Sequence, residues 1–161
     1  MIKTGSSKVG AITSDLYRKI LDQVPLVTVD MLCVRDGKFL LGKRINKPLQ
    51  GKWCFPGGRL LKNELLEKAL IRKAKEETGL SVKAPELLAV KEFFSPNSRF
   101  GPSTHSVSFI YKVRLGSGVV KLKKDAQHRR FGWFSEVDQK WPEYVREVLL
   151  LAGFKYEKVV K

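Results

Sequence analysis

Apolar residues recur along this chain at two periods, and the places where the period changes divide it into elements. Leu16, Ile20 and Leu21 fall at helical spacing behind Thr13 and Ser14, residue types that cap a helix start, so Ile12 to Val24 is predicted as an amphipathic helix stopped by Pro25. Leu26 to Val34 then alternates in part, Asp36-Gly37 supplies a turn, and Lys38 to Arg44 resumes an apolar run, the pattern of a β-hairpin. Asn46 to Arg59 is rich in Pro and Gly and reads as loop. Glu64 to Thr78 is built of good helix formers and ends at Gly79.

Leu80 to Phe94 is strand-like with a break at Ala84-Pro85, and Ser95 to Ser103 has the small polar residues and prolines of a surface loop. Thr104 to Leu115 reads as a long strand and Gly116-Ser117-Gly118 as a turn. Phe131 to Phe134 is a short strand leading into a helix over Ser135 to Ala152, with a peripheral tail after Gly153. Strands alternating with helices predict an α/β fold.

Composition narrows this picture. A chain of 161 residues, 43% of them hydrophobic, suits one globular domain spanning 1–161. No apolar run approaches the ~20 residues that span a bilayer, and Met1 to Gly10 lacks the apolar core of a signal peptide. A soluble cytoplasmic protein with no membrane partner is therefore expected. Cys33 and Cys54 have no partners at metal-ligand spacing and read as small buried residues. The formal net charge of +15 attracts polyanions, phosphorylated substrates and nucleic acid alike. The lysines are scattered, and the denser runs at Lys43 to Lys47 and Lys121 to Lys124 serve a diphosphate as well as a nucleic acid. Nucleic acid is not the expected partner.

The informative stretch runs from Gly57 to Leu80. Gly58 is followed after five residues by Glu64, after seven more by Arg72, and then by Glu76, Glu77 and Gly79. Glycines allow a loop backbone to approach a ligand closely. On the helix that follows, positions 73, 76 and 77 share one face, so Glu76 and Glu77 can present oxygen ligands to a divalent cation beside a diphosphate. Such a cation stabilises charge on phosphoryl oxygens. An ordinary solvated helix with Arg72 paired to Glu76 is the plainer alternative, worth only a few tenths of a kcal/mol.

These residues resemble the Nudix box over 57–80, with one departure: Lys73 stands where the family carries the Glu that follows its Arg. The resemblance implies the Nudix α/β/α sandwich, a mixed sheet carrying the box loop and helix, and hydrolysis that uses Mg²⁺, with Mn²⁺ as a substitute. The replaced Glu often holds metal or activates water, so the nucleophile is expected to be activated elsewhere.

Outside the box, Pro25 to Asp30, Phe39 to Arg44, and Gln50 to Arg59 look like the GDP-mannose mannosyl hydrolases, as does the Gln127-His128 pair. That resemblance implies water attack at the anomeric carbon of a nucleoside diphosphate sugar, with release of the nucleoside diphosphate. It assigns His128 as the base, and Gly57 (through its carbonyl), Glu77 and Gln127 as metal ligands, with Glu76 added from the box. Arg44, Arg59 and Arg72 match arginines around the diphosphate, and Asp30 matches an Asp at the sugar site. A neutral fraction at physiological pH suits a histidine to this role, and Arg forks suit phosphate oxygens. Arg72 serves equally as a structural lock on Glu64 or Glu76. The branch forms homodimers through its N-terminal segment, here 1–24.

Glu76 is present where that branch commonly lacks it, and Ser106 replaces a sugar-contacting Tyr. Two alternatives therefore stay open. One is a pyrophosphohydrolase that cleaves the phosphoanhydride of an NTP or NDP-linked compound. The other is a non-catalytic nucleotide or RNA binding module, marked by a steep salt dependence. His105, in the Thr104 to Leu115 strand, reads as structural.

Overall fold

The computed structural model describes residues 12–98, 101, 103–121 and 128–158. Helix α1 covers Ser14–Gln23, with the Thr13 hydroxyl accepting from Leu16 N–H at 3.4 Å. Strands β1 (Leu26–Arg35) and β2 (Lys38–Arg44) form the expected hairpin, with Asp36 and Gly37 both at positive φ in its turn. The segment expected to be loop holds two short strands, β3 (Trp53–Cys54) and β4 (Gly57–Arg59). Helix α2 covers Leu66–Thr78, β5 Val82–Ser95, β6 Thr104–Leu115, β7 His128–Phe134 and α3 Glu143–Leu151.

All seven strands join one sheet ordered β3-β2-β1-β6-β5, with β4 paired to β1 and β7 to β2. β1 and β6 run parallel and the other pairs antiparallel, so the sheet is mixed. Side chains of a strand alternate between faces, and β1 shows the consequence. Val29, Met31 and Cys33 pack with Ala69, Leu70 and Ala74 of α2. Leu32 packs instead with Val145, Val148 and Leu149 of α3. β2 repeats the division, sending Leu40 to the α2 core and Phe39 and Leu41 to the α3 core. The result is the expected sandwich, helix on either face of a mixed sheet.

Several boundaries differ from expectation, among them the starts of α2 at Leu66 and β5 at Val82, each two residues later than expected. The last helix starts at Glu143 because Pro142 is its N-cap, and proline can neither donate into an upstream turn nor clear the preceding backbone. The stretch before it makes a β-bridge between Val137 and Tyr156, and Phe154 packs edge-on to Phe39 at 4.6 Å, so the tail is partly built into the core. The break at Ala84-Pro85 is a bulge within one strand, with register shifts against β6 and Ala84 at φ +49°. β7 begins three residues early, at His128, opposite Arg44. Cys33 and Cys54 are buried and unpaired, and burial pushes their thiols up to about 12 and about 11.

Candidate functional site

The site grows from the contact of β4 with β1, where Gly57 lies opposite Asp30 and Gly58 opposite Val29. Side chains are excluded there by the neighbours: a Cβ on Gly57 would run into the Asp30 carboxylate and the Val29 carbonyl, and one on Gly58 would lie 2.6 Å from Cε of Lys73. The glycine pair thus brings the loop backbone down onto β1 and α2.

Glu64 precedes α2 and serves the loop. Its Oε2 accepts from Leu61 N–H at 3.0 Å, and the carboxylate receives Nε and Nη2 of Arg72 at 2.7 and 2.8 Å. Arg72 also donates through Nη2 to the Arg59 carbonyl at 3.0 Å and through Nη1 to Glu76 at 3.3 Å. One guanidinium therefore ties loop, β4 and helix together, and all three of its nitrogens are engaged. The hydrogen bonds from Arg72 hold the Glu64 carboxyl below its ordinary value.

One helical turn further on, Lys73, Glu76 and Glu77 meet. Lys73 Nζ lies 3.0 Å from Glu76 Oε2 and 3.0 Å from Glu77 Oε1. Glu77 Oε2 lies 2.9 Å from His128 Nδ1, so both oxygens of this carboxylate are engaged. Side-chain exposure is 9% for Lys73, 4% for Glu77 and 1% for His128, against 46% for Glu76. Burial works to raise the Glu77 carboxyl, but the His128 hydrogen bond and the Lys73 charge outweigh it and leave it lowered. Glu76 is likewise lowered, with burial overcome by its hydrogen bond from Lys73 and the charges of Lys73 and Arg72.

A cavity of about 1350 Å³ opens over this region. Arg44, Lys47, Arg59, Arg72 and Lys73 line it, together with Asp30, Gly57, Gly58 and Glu76, while Tyr17, Phe93, Phe94 and Tyr144 contribute aromatic walls. Glu77 and His128 are buried and are not among its lining residues; Glu77 joins Lys73 to His128. Arg44 is held by Nε on the Pro48 carbonyl at 2.9 Å, and the Arg59 guanidinium lies 4.6 Å from the Tyr17 ring centroid, a cation–π contact that sequence reasoning missed. Asp30 accepts from Ser108 Oγ at 2.6 Å, and its burial pushes the carboxyl up. Ser108 carried no signal beyond its place in a strand.

The expected site residues are thus distributed unevenly. Asp30, Arg44, Gly57, Arg59, Arg72 and Glu76 share the cavity, Glu77 and His128 form a buried pair, and Gln127 lies outside the described residues. His105 is at the surface, 3.3 Å from Glu92 and stacked on Phe94. Nε2 of His128 is buried without a hydrogen-bond partner among the described residues.

The arrangement bears directly on a divalent ion. Glu76 and Glu77 converge, yet they converge on an ammonium, and among the described residues no group of three or more His, Cys, Asp or Glu side chains gathers as metal ligands. An ion placed 4 Å from that ammonium would be opposed by roughly 8 kcal/mol at an effective dielectric of 20, before any relaxation. With Lys73 in this position, the acidic pair does not fit a divalent ion.

The model of the NUDIX domain matches residues 24–149. The low-salt glycan biosynthesis protein Agl8 of Haloferax volcanii is 35% identical over 140 residues, covering 86% of this chain and 88% of that protein. The ADP-ribose pyrophosphatase of Methanocaldococcus jannaschii is 37% identical over 117 residues, 73% of this chain and 67% of that one. Among solved structures, a MutT NUDIX hydrolase from Burkholderia pseudomallei superposes with a TM-score of 0.69 at 30% identity, over 80% of this chain and 98% of that one.

Proposed function

The chain belongs to the Nudix family, and from that membership we propose that it hydrolyses a nucleoside diphosphate sugar, of the GDP-mannose or GDP-glucose type, by water attack at the anomeric carbon. The products are the nucleoside diphosphate and free sugar. The observation that carries this reading is the cavity, which places Arg44, Lys47, Arg59 and Lys73 along one surface with aromatic side chains. Ligand pockets commonly measure about 300–1,000 Å³, so a larger cavity suits a substrate of several parts. Cationic groups stabilise a departing diphosphate, and aromatic faces suit a base or sugar. The relative from Haloferax volcanii, named for glycan biosynthesis, supports a sugar-linked substrate.

Within this reading His128 is the base. Its Nδ1–H donates to the Glu77 carboxylate, which selects the tautomer and leaves the Nε2 lone pair without a partner among the described residues. At 1% side-chain exposure the ring needs a rearrangement at the start of β7 before Nε2 meets water beside the sugar. Asp30 receives sugar hydroxyls, and Arg44 and Arg59 hold the phosphates. Nudix hydrolases generally use divalent metal ions. Here Mg²⁺ or Mn²⁺ enters as the companion of the substrate's diphosphate, not as an ion resident between Glu76 and Glu77. A homodimer joined through α1 belongs to the same reading, since Leu16 and Val24 are exposed on that segment.

A second reading, cleavage of the phosphoanhydride, is favoured by the ADP-ribose pyrophosphatase relative and by the retained Glu76. Turnover of GDP-mannose and GDP-glucose in ¹⁸O water separates the two. Label in the sugar with GDP released supports attack at carbon; GMP and sugar phosphate, with label on phosphate, sink the first reading and support the second.

A further inference from the structure

We propose that the Lys73 ammonium is a built-in replacement for a divalent ion at the acidic pair of α2, so that the free protein holds no such ion there and presents Lys73 to the substrate's phosphates. The geometry has three parts. Nζ bridges Glu76 and Glu77 at 3.0 Å each, which places a cation where two carboxylates converge. Lys73 is among the residues that line the cavity, whereas Glu77 is buried and is not among them. Gly58 leaves room for the lysine stem, since a Cβ there would lie 2.6 Å from Cε and 3.1 Å from Nζ.

A buried carboxylate needs a partner, and Glu77 has two cationic or donor partners already, Lys73 and His128. Its second oxygen accepts from the imidazole, so a metal added beside the ammonium would share oxygens already in use and meet the repulsion of the Lys73 charge. On the cavity side the Lys73 charge joins Arg44 and Arg59, giving a surface for an anion that is carried by side chains alone. A lysine supplies one positive charge and up to three donors. That combination neutralises phosphate oxygens without a fixed coordination geometry.

The inference concerns the protein without substrate, so its test does not rest on which nucleotide is hydrolysed. Free Mn²⁺ is followed by its EPR signal during titration of the full chain at neutral pH, in wild type, Lys73→Met and Lys73→Arg. Met keeps most of the stem and removes the charge; Arg keeps the charge. Expected is weak binding by wild type and Lys73→Arg, binding at least tenfold tighter by Lys73→Met, and loss of that gain in Lys73→Met/Glu77→Gln. Thermal melts supply the second readout, because an ion that binds only the folded state raises the melting temperature. Millimolar Mn²⁺ should stabilise Lys73→Met and leave wild type unchanged. Should Lys73→Met fail to fold, Lys73→Gln carries the same two measurements. Equal Mn²⁺ affinity in wild type and the neutral variants, whether tight or absent, overturns the proposal while leaving the hydrolysis reading intact.

Discussion

Nδ1 of His128 lies 2.9 Å from Oε2 of Glu77, and both side chains are buried. A carboxylate in that position selects the tautomer with hydrogen on Nδ1, the form in which Nε2 accepts a proton. His128→Gln retains an amide donor for Glu77 and removes the base. Its kcat for release of the nucleoside diphosphate is expected to fall by about 10²–10⁴, with a melting temperature near that of wild type. Undiminished release would remove His128 from the chemistry.

Glu77 also makes a statement about stability against pH. Its carboxyl is held below the ordinary value of 4.5, so its contribution is fully present above that value and is lost as pH falls through the lower folded value. Glu77→Gln leaves the Lys73 ammonium with Glu76 alone and takes the carboxylate from His128 Nδ1, and should cost about 3 kcal/mol at pH 7. The gap to wild type should narrow below pH 4.5 in urea unfolding. A gap that stays constant on acidification would contradict the lowered carboxyl.

Asp30 behaves in the opposite sense. Burial raises its carboxyl above the ordinary 3.8, and the Ser108 hydrogen bond offsets this only in part. The folded state binds the proton more tightly than the unfolded chain, so stability falls as pH rises from 3.8 through the folded value. Asp30→Asn keeps an acceptor for Ser108. It should raise unfolding free energy at pH 7 by roughly 1–2 kcal/mol, an advantage that disappears in acid, while lowering turnover of a nucleotide sugar. An Asn variant less stable than wild type at pH 7 would count against a costly buried carboxylate.

The main lines of the fold were legible because α2 and the β1–β2 hairpin are locally consistent. The run of helix formers ends at Gly79, which takes φ +76°, and Asp36-Gly37 supplies the positive φ values of the turn. The strands β3 and β4 were hidden, since two and three residues beside Pro and Gly carry no period. At the site, the spacing of Arg72, Glu76 and Glu77 announced a shared helical face. It did not announce that Lys73, on that same face, would fold back onto both carboxylates, since this depends on the space above Gly58. Nor did sequence distance suggest Ser108 as the partner of Asp30, a contact created by the parallel pairing of β1 with β6.

The arginines of the cavity divide by what holds them. Arg72 is bound on every nitrogen, to Glu64, Glu76 and the Arg59 carbonyl, and its side chain is 26% exposed. Arg59 has the Tyr17 ring for a neighbour and faces the cavity. Arg72→Ala should therefore act on the fold: it leaves Glu64 without its two-pronged partner and should lower stability by about 1–3 kcal/mol. Arg72→Lys should recover little, since an ammonium cannot reproduce the fork. Arg59→Ala should leave the melting temperature within a few degrees and raise KM for a nucleoside diphosphate sugar about tenfold or more, as expected for a lost phosphate contact of roughly 1.4 kcal/mol. Thermal melts and steady-state kinetics on the three variants check the division. A destabilised Arg59→Ala with unchanged KM, or a fully stable Arg72→Ala, would show that the two guanidiniums have exchanged roles.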